Sequence, residues 1–241
     1  MSLFKAIFCT LIIFSNILLS ELPNYVIFFV DDMGYGDVGF TGHPSINTPN
    51  IDKLAHEGII LSTWYTGQPV CSPSRAAMLT GRLPVRSGCA GTWNGGVFGD
   101  AAIGGLPTNE TTFASVLSKA GYKTKMIGKW HLGQRSQFQP QNHGFDESFW
   151  IPYSVDMGSS VWLNNGALPL PLLNNSNIIQ QPVDLSKVSD LYIQEATQFI
   201  QKSVKENKPF VLYMAHSHVH VPDFTNEKYC NSSIRGRFGD A

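Results

Sequence analysis

A continuous apolar run near the start of the chain constrains the fold most. Residues 25–30 read Tyr-Val-Ile-Phe-Phe-Val, and the run ends abruptly at Asp31 and Asp32. A run that is apolar at every position is typical of a strand buried on both faces of a parallel sheet. Further strands are predicted at 123–127 and 210–215, each after a helical segment. Strands that alternate with helices predict an α/β fold with a mostly parallel sheet covered on both faces.

The other predicted elements are helices, one more strand and one irregular segment. Thr48 as N-cap, Pro49 at the first helical position and Gly58 as terminator delimit a short helix. The helices are predicted at 49–57, 72–80, 111–120 and 188–206, the strand at 59–64 and a surface excursion at 164–182.

The N-terminus has the layout of a secretory signal peptide. Lys5 precedes an apolar stretch at 6–19, and Ser20 follows it. The stretch is short for a membrane span, although an uncleaved anchor is the alternative. We expect residues 1–20 to be a signal, residues 21–241 to form the folded domain, and no stable membrane span after cleavage. Three N-x-S/T sequons are candidates for glycosylation in the secretory pathway: Asn109, Asn174 and Asn231.

The charge balance argues against a polyanionic partner. The chain has 17 Lys+Arg and 18 Asp+Glu, a formal net charge of −1 and only 15% charged residues. Disorder driven by charge is therefore excluded, and so is the basic surface that gripping a nucleic-acid backbone requires. We expect no nucleic-acid partner.

The cysteine count is odd once the signal is removed. Cys9 lies inside the signal, which leaves Cys71, Cys89 and Cys230. In an oxidising compartment, three cysteines mean that one is free, modified or paired outside the chain. The sequence leaves open whether Cys89 and Cys230 bond to each other.

Polar residues follow the predicted strands, where ligand crevices of α/β sheets lie. Asp31 and Asp32 end the first strand, and Lys129 and His131 follow the second. Adjacent carboxylates after an apolar strand predict a bound hard cation, Ca²⁺ or Mg²⁺. The alternative is a turn in which Asp32 caps the backbone near Gly34.

Three histidines alternate after the strand at 210–215. They are His216, His218 and His220. Spacing of two could place them on one face for Zn²⁺, although ordinary strand-end histidines are the commoner case.

Residues 71–81, Cys-Ser-Pro-Ser-Arg-Ala-Ala-Met-Leu-Thr-Gly, are the strongest motif of the chain. If Cys71 precedes a helix start, the free N–H groups and the helix dipole favour an anion there, and Arg75 adds a fixed charge. An activated thiolate or a half-cystine are the alternatives on position alone.

Two motifs together identify a resemblance to the sulfatases. The run Cys-x-Pro-Ser-Arg-x-x-x-Leu-Thr-Gly at 71–81 resembles the first sulfatase signature, and Gly-Lys-Trp-His-Leu-Gly at 128–133 resembles the second. Further segments are similar to the arylsulfatase A and N-acetylgalactosamine-6-sulfatase branch. The resemblance implies an alkaline-phosphatase-like sandwich fold and a lysosomal or secreted sulfuric ester hydrolase.

The resemblance also implies a modified residue and a metal ion. Cys71 would be oxidised by the formylglycine-generating enzyme to formylglycine, whose hydrate supplies the nucleophile. Asp31, Asp32 and residue 71 match ligands of a Ca²⁺ ion, with Mg²⁺ the less favoured alternative. The conversion would account for the odd thiol.

The remaining site residues are carried over in the same way. Arg75 and Lys129 match residues that hold the hydrate, and His131 matches the residue that handles its proton. Ser154 and His220 match residues that contact the sulfate ester, together with Lys129. The resemblance assigns no role to His216 or His218.

The sequence departs from the family pattern after residue 240. The family's later metal-ligand pair and later lysine have no counterpart, so the domain at 21–241 is expected to be incomplete, truncated at the C-terminus, and inactive alone. A metal-dependent phosphoesterase of the same superfamily and a non-catalytic truncated product are the alternatives. The sulfated substrate, whether small aryl ester, lipid or glycan, and the oligomeric state stay open.

Overall fold

The structure, a computed structural model, describes residues 22–91, 94–158 and 169–241. The predicted signal at 1–20 lies outside the described residues. No helix in the described ranges combines the length and the apolar character that crossing a bilayer requires.

Six strands form one mixed sheet in the order β1-β6-β2-β3-β4-β5. The first four strands in this order, β1, β6, β2 and β3, pair in parallel. Strand β4 pairs antiparallel with β3, and β5 pairs antiparallel with β4. The strand bounds are β1 Tyr25–Phe29, β2 Lys123–Lys129, β3 Glu147–Ile151, β4 Leu172–Asn174, β5 Asn177–Gln180 and β6 Phe210–Ala215. The predicted α/β class and mostly parallel sheet are confirmed.

The described helices connect these strands and cover the sheet. The α-helices are α1 Pro49–Glu57, α2 Cys71–Thr80, α3 Pro84–Ser87, α4 Phe113–Lys119, α5 Leu185–Lys205 and α6 Arg237–Asp240. Short 3-10 turns lie at Tyr35–Asp37, Gly39–Thr41, Asn94–Gly96, Ser136–Phe138, Pro140–His143 and Glu227–Tyr229.

Two apolar clusters cover the two faces of the sheet. On one face, Val188, Tyr192 and Phe199 of α5 pack against alternate residues of β2 and β6. On the other face, Ala76 and Leu79 of α2 belong to a cluster with the opposite set of alternate strand residues. Because successive side chains of a strand point to opposite faces, a centrally placed strand must be apolar throughout, and every residue of β6 is buried.

Gly128 brings β2 and β6 close together just before the site. Its φ is 107°, and a Cβ built there would lie 1.9 Å from the carbonyl oxygen of Ala215. A side chain at this position would force the strands apart, so Gly128 fixes their spacing where Lys129 leaves β2.

Two strand predictions were wrong in detail. The first strand is an edge strand, not one buried on both faces, and its Phe28 is 61% exposed because β1 pairs only with β6 among the described residues. Residues 59–64 form no strand and are exposed, and Ile59 is 88% exposed. Their apolar side chains have no neighbouring strand to pair with in the described part of the chain.

Two strands inside the predicted surface excursion were missed. Residues 172–180 form the β4–β5 hairpin, which turns at Asn175 with φ 52°. Strands of three and four residues are too short for their periodicity to stand out. Strand β3 was also missed, although its residues 148–151 are all buried.

The cysteines at 71, 89 and 230 are all free thiols. Cys89 is buried and Cys230 is exposed, so these two do not form a disulfide in this structure. The question that the sequence left open is thereby answered for the described chain.

Candidate active site

The site lies at the carboxyl ends of the parallel strands. Asp31 follows β1, Lys129 ends β2, Ser154 follows β3 and His220 follows β6. Parallel strands place their carboxyl ends at one edge of the sheet, and this explains why residues far apart in sequence meet there. The start of α2 brings Cys71 to the same edge, so the structure brings the predicted strand-end residues and the cysteine motif together.

The start of α2 points unsatisfied backbone groups at the site. The N-cap is Val70, which cannot cap with its side chain, and Cys71 is the first helical residue. Pro73 has no N–H, whereas Ser74 N donates to Val70 O over 3.1 Å. The free amides and the positive end of the helix dipole favour negative charge near Cys71.

Lys129 is the hub of the polar contacts. Its side chain is fully buried, and its Nζ lies 2.5 Å from Asp31 Oδ2, 3.0 Å from Ser154 Oγ and 3.3 Å from Cys71 Sγ. Asp31 follows β1, Ser154 follows β3 and Cys71 begins α2. One ammonium group therefore connects three parts of the chain.

Asp31 is the buried anion of the site. It is 4% exposed, and Arg75 Nη2 lies 3.1 Å from its Oδ1. Burial alone would raise the pKa of Asp31, but the charges of Arg75 and Lys129 outweigh burial and hold that pKa below its ordinary value. The carboxylate is therefore kept ionised between two buried cations.

Arg75 is held on several sides. Its Nη1 donates to Lys129 O over 2.6 Å, and its guanidinium lies 5.5 Å from the centroid of the Phe29 ring. Burial opposes its charge, yet the neighbouring Asp31 carboxylate raises the pKa of Arg75 above its ordinary value. Arg75 is a fixed positive charge one helical turn from Cys71.

Ser154 links Lys129 to His220. The Ser154 hydroxyl is buried and lies 3.3 Å from His220 Nε2, while His220 Nδ1 lies 2.6 Å from Val221 O. A hydrogen bond to Cys71 raises the pKa of His220 to about 9 against the opposing effect of burial. The site thus holds a third positive group at neutral pH.

His131 lies at the rear of the site with a left-handed backbone, φ 55°. It is 1% exposed, and its Nε2 lies 2.8 Å from Phe98 O. Burial, then the charges of Lys129 and Arg75, hold the pKa of His131 well below its ordinary value, so the ring is neutral. A carbonyl only accepts, so Nε2 carries the proton and Nδ1 keeps its lone pair.

One group of ligand atoms is compact enough to hold a metal ion. Atoms of Asp31, Cys71 and His220 lie within 4.8 Å of one another. The Asp32 side chain is 54% exposed, and its Oδ2 lies 3.6 Å from His220 Nε2, so the structure does not place it in this group. The role of Asp32 as a ligand stays a prediction.

The alternative in which Asp32 caps the backbone near Gly34 is not what the structure shows. Gly34 N donates to Asp37 Oδ2 over 2.6 Å instead. The short 3-10 turn Tyr35–Asp37 brings the Asp37 carboxylate to the Gly34 amide.

The neighbouring histidines lie in other contacts. The His216 ring stacks on Phe28 with centroids 5.9 Å apart, and the His218 ring lies 4.2 Å from that of Phe224. Among the described residues, only His220 of the three joins the compact ligand group, so the alternative of a three-histidine zinc site was wrong.

Sequence reasoning missed Phe98 and Tyr213. Phe98 contributes a backbone carbonyl, and no residue type in a sequence reports where a carbonyl will point. Tyr213 lies on β6, is buried like the other residues of that strand and interacts with Arg75. Because the strand is apolar throughout, its sequence pattern gives no sign that the Tyr213 hydroxyl lies near the site.

The site opens into a cavity of about 210 Å³. Its walls include Asp31, Asp32, Cys71, Ser74 and Arg75. The opening makes Cys71, which is half-buried, reachable from solvent.

Comparisons with known proteins place the chain among enzymes with the motifs described above. The family model described as Sulfatase matches residues 23–238. Human arylsulfatase G is 43% identical over 225 residues, which cover 84% of this chain and 42% of that protein. Mouse N-acetylgalactosamine-6-sulfatase is 40% identical, over 91% of this chain and 44% of that protein. The chain therefore spans less than half the length of these curated relatives.

A solved structure shows the same likeness in three dimensions. The crystal structure of the PsFucS1 sulfatase from Pseudoalteromonas sp. superposes with a TM-score of 0.77 and 31% identity. The match covers 91% of this chain and 49% of that one, which confirms the predicted alkaline-phosphatase-like fold. Since the family model matches nearly the whole chain, both signatures included, the chain belongs to the sulfatase family.

Proposed function

We propose that the protein is an arylsulfatase-type sulfuric ester hydrolase. The observation that carries this proposal is the position of Cys71 at the uncapped start of α2, with Lys129 Nζ at 3.3 Å from its Sγ. Helix amides, a buried ammonium group and Arg75 surround this single position, which is what an anionic sulfuryl group requires.

The charges of the site favour a sulfate ester as ligand. Lys129 and Arg75 carry two positive charges against the one buried carboxylate of Asp31. A sulfate monoester carries one negative charge, so its entry brings the group closer to neutrality. Ser154 Oγ and His220 Nε2 lie 3.3 Å apart, and both would contact the ester.

Residue 71 would carry the nucleophile after conversion by the formylglycine-generating enzyme. Pro73, Ser74 and Arg75 are the fixed residues of the signature that follow it. The aldehyde hydrate at residue 71 would supply two hydroxyl groups, one as the nucleophile towards sulfur and one that would permit release of the sulfate group. A thiol has neither hydroxyl, so conversion is central to the proposal.

We infer that the residues expected to hold a Ca²⁺ ion would supply only part of its shell. Asp31, Asp32 and the oxygen of residue 71 would hold the ion, which neutralises charge around a sulfate oxygen. Ca²⁺ takes six to eight oxygen ligands and Mg²⁺ about six, so more ligands are needed than these residues supply. We therefore expect the 241-residue chain alone to hydrolyse esters weakly or not at all.

The residues of this chain would divide the remaining tasks. Arg75 and Lys129 hold the hydrate and stabilise the charge that develops on it. His131 accepts the proton at Nδ1, because its Nε2–H is already engaged by Phe98 O. A neutral imidazole is the form that this task requires, and burial keeps His131 in that form.

The substrate proposed is a sulfated glycan, lipid or small aryl ester. The name of the mouse relative gives a sulfated amino sugar as its substrate, which supports the glycan class. We also propose passage through the secretory pathway to lysosome or extracellular space, after removal of a signal at 1–20. The sequon residues Asn109, Asn174 and Asn231 are all exposed, as glycosylation requires.

Mass spectrometry of the Cys71 peptide tests the proposal directly. Protein from secretory cells that contain the formylglycine-generating enzyme should yield a peptide in which the thiol is replaced by an aldehyde. A Cys71→Ser variant, made in the same cells, is the matched control and should show no aldehyde. An intact thiol at residue 71 in protein from these cells would contradict the proposal, and hydrolysis of a phosphate monoester by that protein would favour a phosphoesterase.

A further inference from the structure

His131 is held from behind by a backbone carbonyl rather than by a side chain. Its Nε2 lies 2.8 Å from Phe98 O, and its buried Nδ1 has no hydrogen-bond partner among the described residues. The orientation of the imidazole and the location of its proton therefore depend on where the Phe98 peptide lies.

The Phe98 peptide is fixed in turn by Ser72. Phe98 N donates to Ser72 Oγ over 3.1 Å, and Ser72 is fully buried at the second position of α2. Gln134 Nε2 donates to Asp100 O over 2.6 Å and holds the same loop two residues further on. Ser72 thus binds the backbone amide of Phe98, and His131 binds the backbone carbonyl of the same residue.

We propose that Ser72 is a positioning residue for His131. Its hydroxyl holds the Phe98 amide, the Phe98 carbonyl selects the Nε2–H form of His131, and the buried Nδ1, which has no partner among the described residues, is left as the hydrogen-bond acceptor. The catalytic meaning of this chain of contacts rests on the proposed function, whereas the contacts themselves do not. Ser72 occupies the variable position of Cys-x-Pro-Ser-Arg, so replacing it leaves the signature intact.

The position of Ser72 makes this role distinct from general packing. It follows Cys71 directly, so the same turn of helix that presents residue 71 also sets the distance to the Phe98 loop. The hydroxyl oxygen is the group required, since it is the acceptor of the partly buried Phe98 amide and a desolvated amide without an acceptor costs free energy. Threonine keeps that oxygen and alanine removes it.

The test is nitrogen NMR of the histidine rings in the 241-residue chain, labelled with ¹⁵N-histidine. In wild-type His131, the form with the proton on Nε2 should predominate over the form with the proton on Nδ1. Ser72→Ala should lower the ratio of the Nε2–H to the Nδ1–H form by roughly fivefold or more, which corresponds to one neutral hydrogen bond. Ser72→Thr should restore the wild-type ratio, and His131→Gln assigns the signals.

Two results would overturn the proposal. One is a Ser72→Ala chain whose other histidine signals are unchanged and whose His131 keeps the wild-type ratio; the other is a wild-type His131 without a proton on Nε2. If Ser72→Ala fails to fold, the isosteric pair Ser72→Thr and Ser72→Val replaces it, because the two differ only in the hydroxyl. This readout needs no turnover, so an unconverted Cys71 would refute the proposed function and leave the positioning role standing.

Discussion

At the scale of single residues, the site depends on one carboxylate placed between two cations. Lys129 forms an ion pair with Oδ2 of Asp31, and Arg75 forms an ion pair with Oδ1. All three side chains are buried. Removing one member of a buried ionic group leaves the others uncompensated, which costs far more than the intact group contributes.

Asp31→Asn tests this arrangement through stability. The free energy of unfolding at pH 7 should fall by about 3 kcal/mol, measured by urea denaturation. Because the pKa of Asp31 is lowered in the folded state, its contribution is present above the unfolded pKa of about 4 and is lost as pH falls through the folded value. Wild type and variant should therefore differ less at pH 3 than at pH 7. Asp223→Asn, outside the site, is the control, and an equal loss at both pH values would contradict the account.

His143 makes a second pH-dependent contribution to the free energy of unfolding. It is buried against Trp130, with ring centroids 5.5 Å apart, and burial lowers its pKa to about 4. The unfolded chain binds a proton near pH 6.5, so stability should fall as pH drops from about 6.5 to 4. His143→Gln should flatten this slope in urea titrations across that range, by up to about 3 kcal/mol. His56→Gln, at an exposed position on α1, controls for the substitution itself, and a slope equal to wild type in His143→Gln would refute the prediction.

The site could be predicted from residue types, but its geometry could not. Cys71, Arg75 and Lys129 stood out because thiol, guanidinium and ammonium groups in short motifs carry chemical meaning. The Phe98 carbonyl carries none, and the choice of Asp37 over Asp32 as the partner of Gly34 N depends on the turn that follows. Backbone acceptors and local turn geometry are three-dimensional facts that no residue identity encodes.

At the scale of elements, α5 shows what periodicity predicts well. The helix was expected at 188–206 and is found at Leu185–Lys205. Asp184 is its N-cap, and the Asp184 side chain accepts a hydrogen bond from Ser186 N. Its buried residues recur every three or four positions and fit the sheet face. Strand β1 was located correctly as well, but its burial was not, because an apolar run reports composition and not the number of neighbouring strands.

Phe199→Ala tests how far α5 stabilises the sheet. Phe199 is 3% exposed and meets the Phe210 ring edge-on, with centroids 5.8 Å apart. Loss of this ring should lower the free energy of unfolding by about 3–5 kcal/mol, since the space cannot close completely. The urea midpoint measures the effect. Ile193→Ala, 58% exposed on the same helix, should change it by less than about 1 kcal/mol, and equal effects would contradict the assigned core face.

At the scale of the whole molecule, the sheet ends in an edge strand on both sides. In the described residues β5 pairs with β4 alone, and β1 pairs with β6 alone. Val26 is 42% exposed and Phe28 is 61% exposed on this edge. An apolar edge strand with unpaired backbone groups is a template for pairing with another chain.

Val26→Lys tests whether this edge makes the 241-residue chain self-associate. The wild-type chain should sediment as concentration-dependent oligomers in analytical ultracentrifugation, and the lysine should shift the distribution towards monomer, because its charge must be desolvated when a second strand pairs there. Val204→Lys, at a 63% exposed position on α5, adds the same charge away from the edge and should leave association unchanged. A wild-type chain that stays monomeric at all concentrations, or two variants that behave alike, would show that β1 does not drive association.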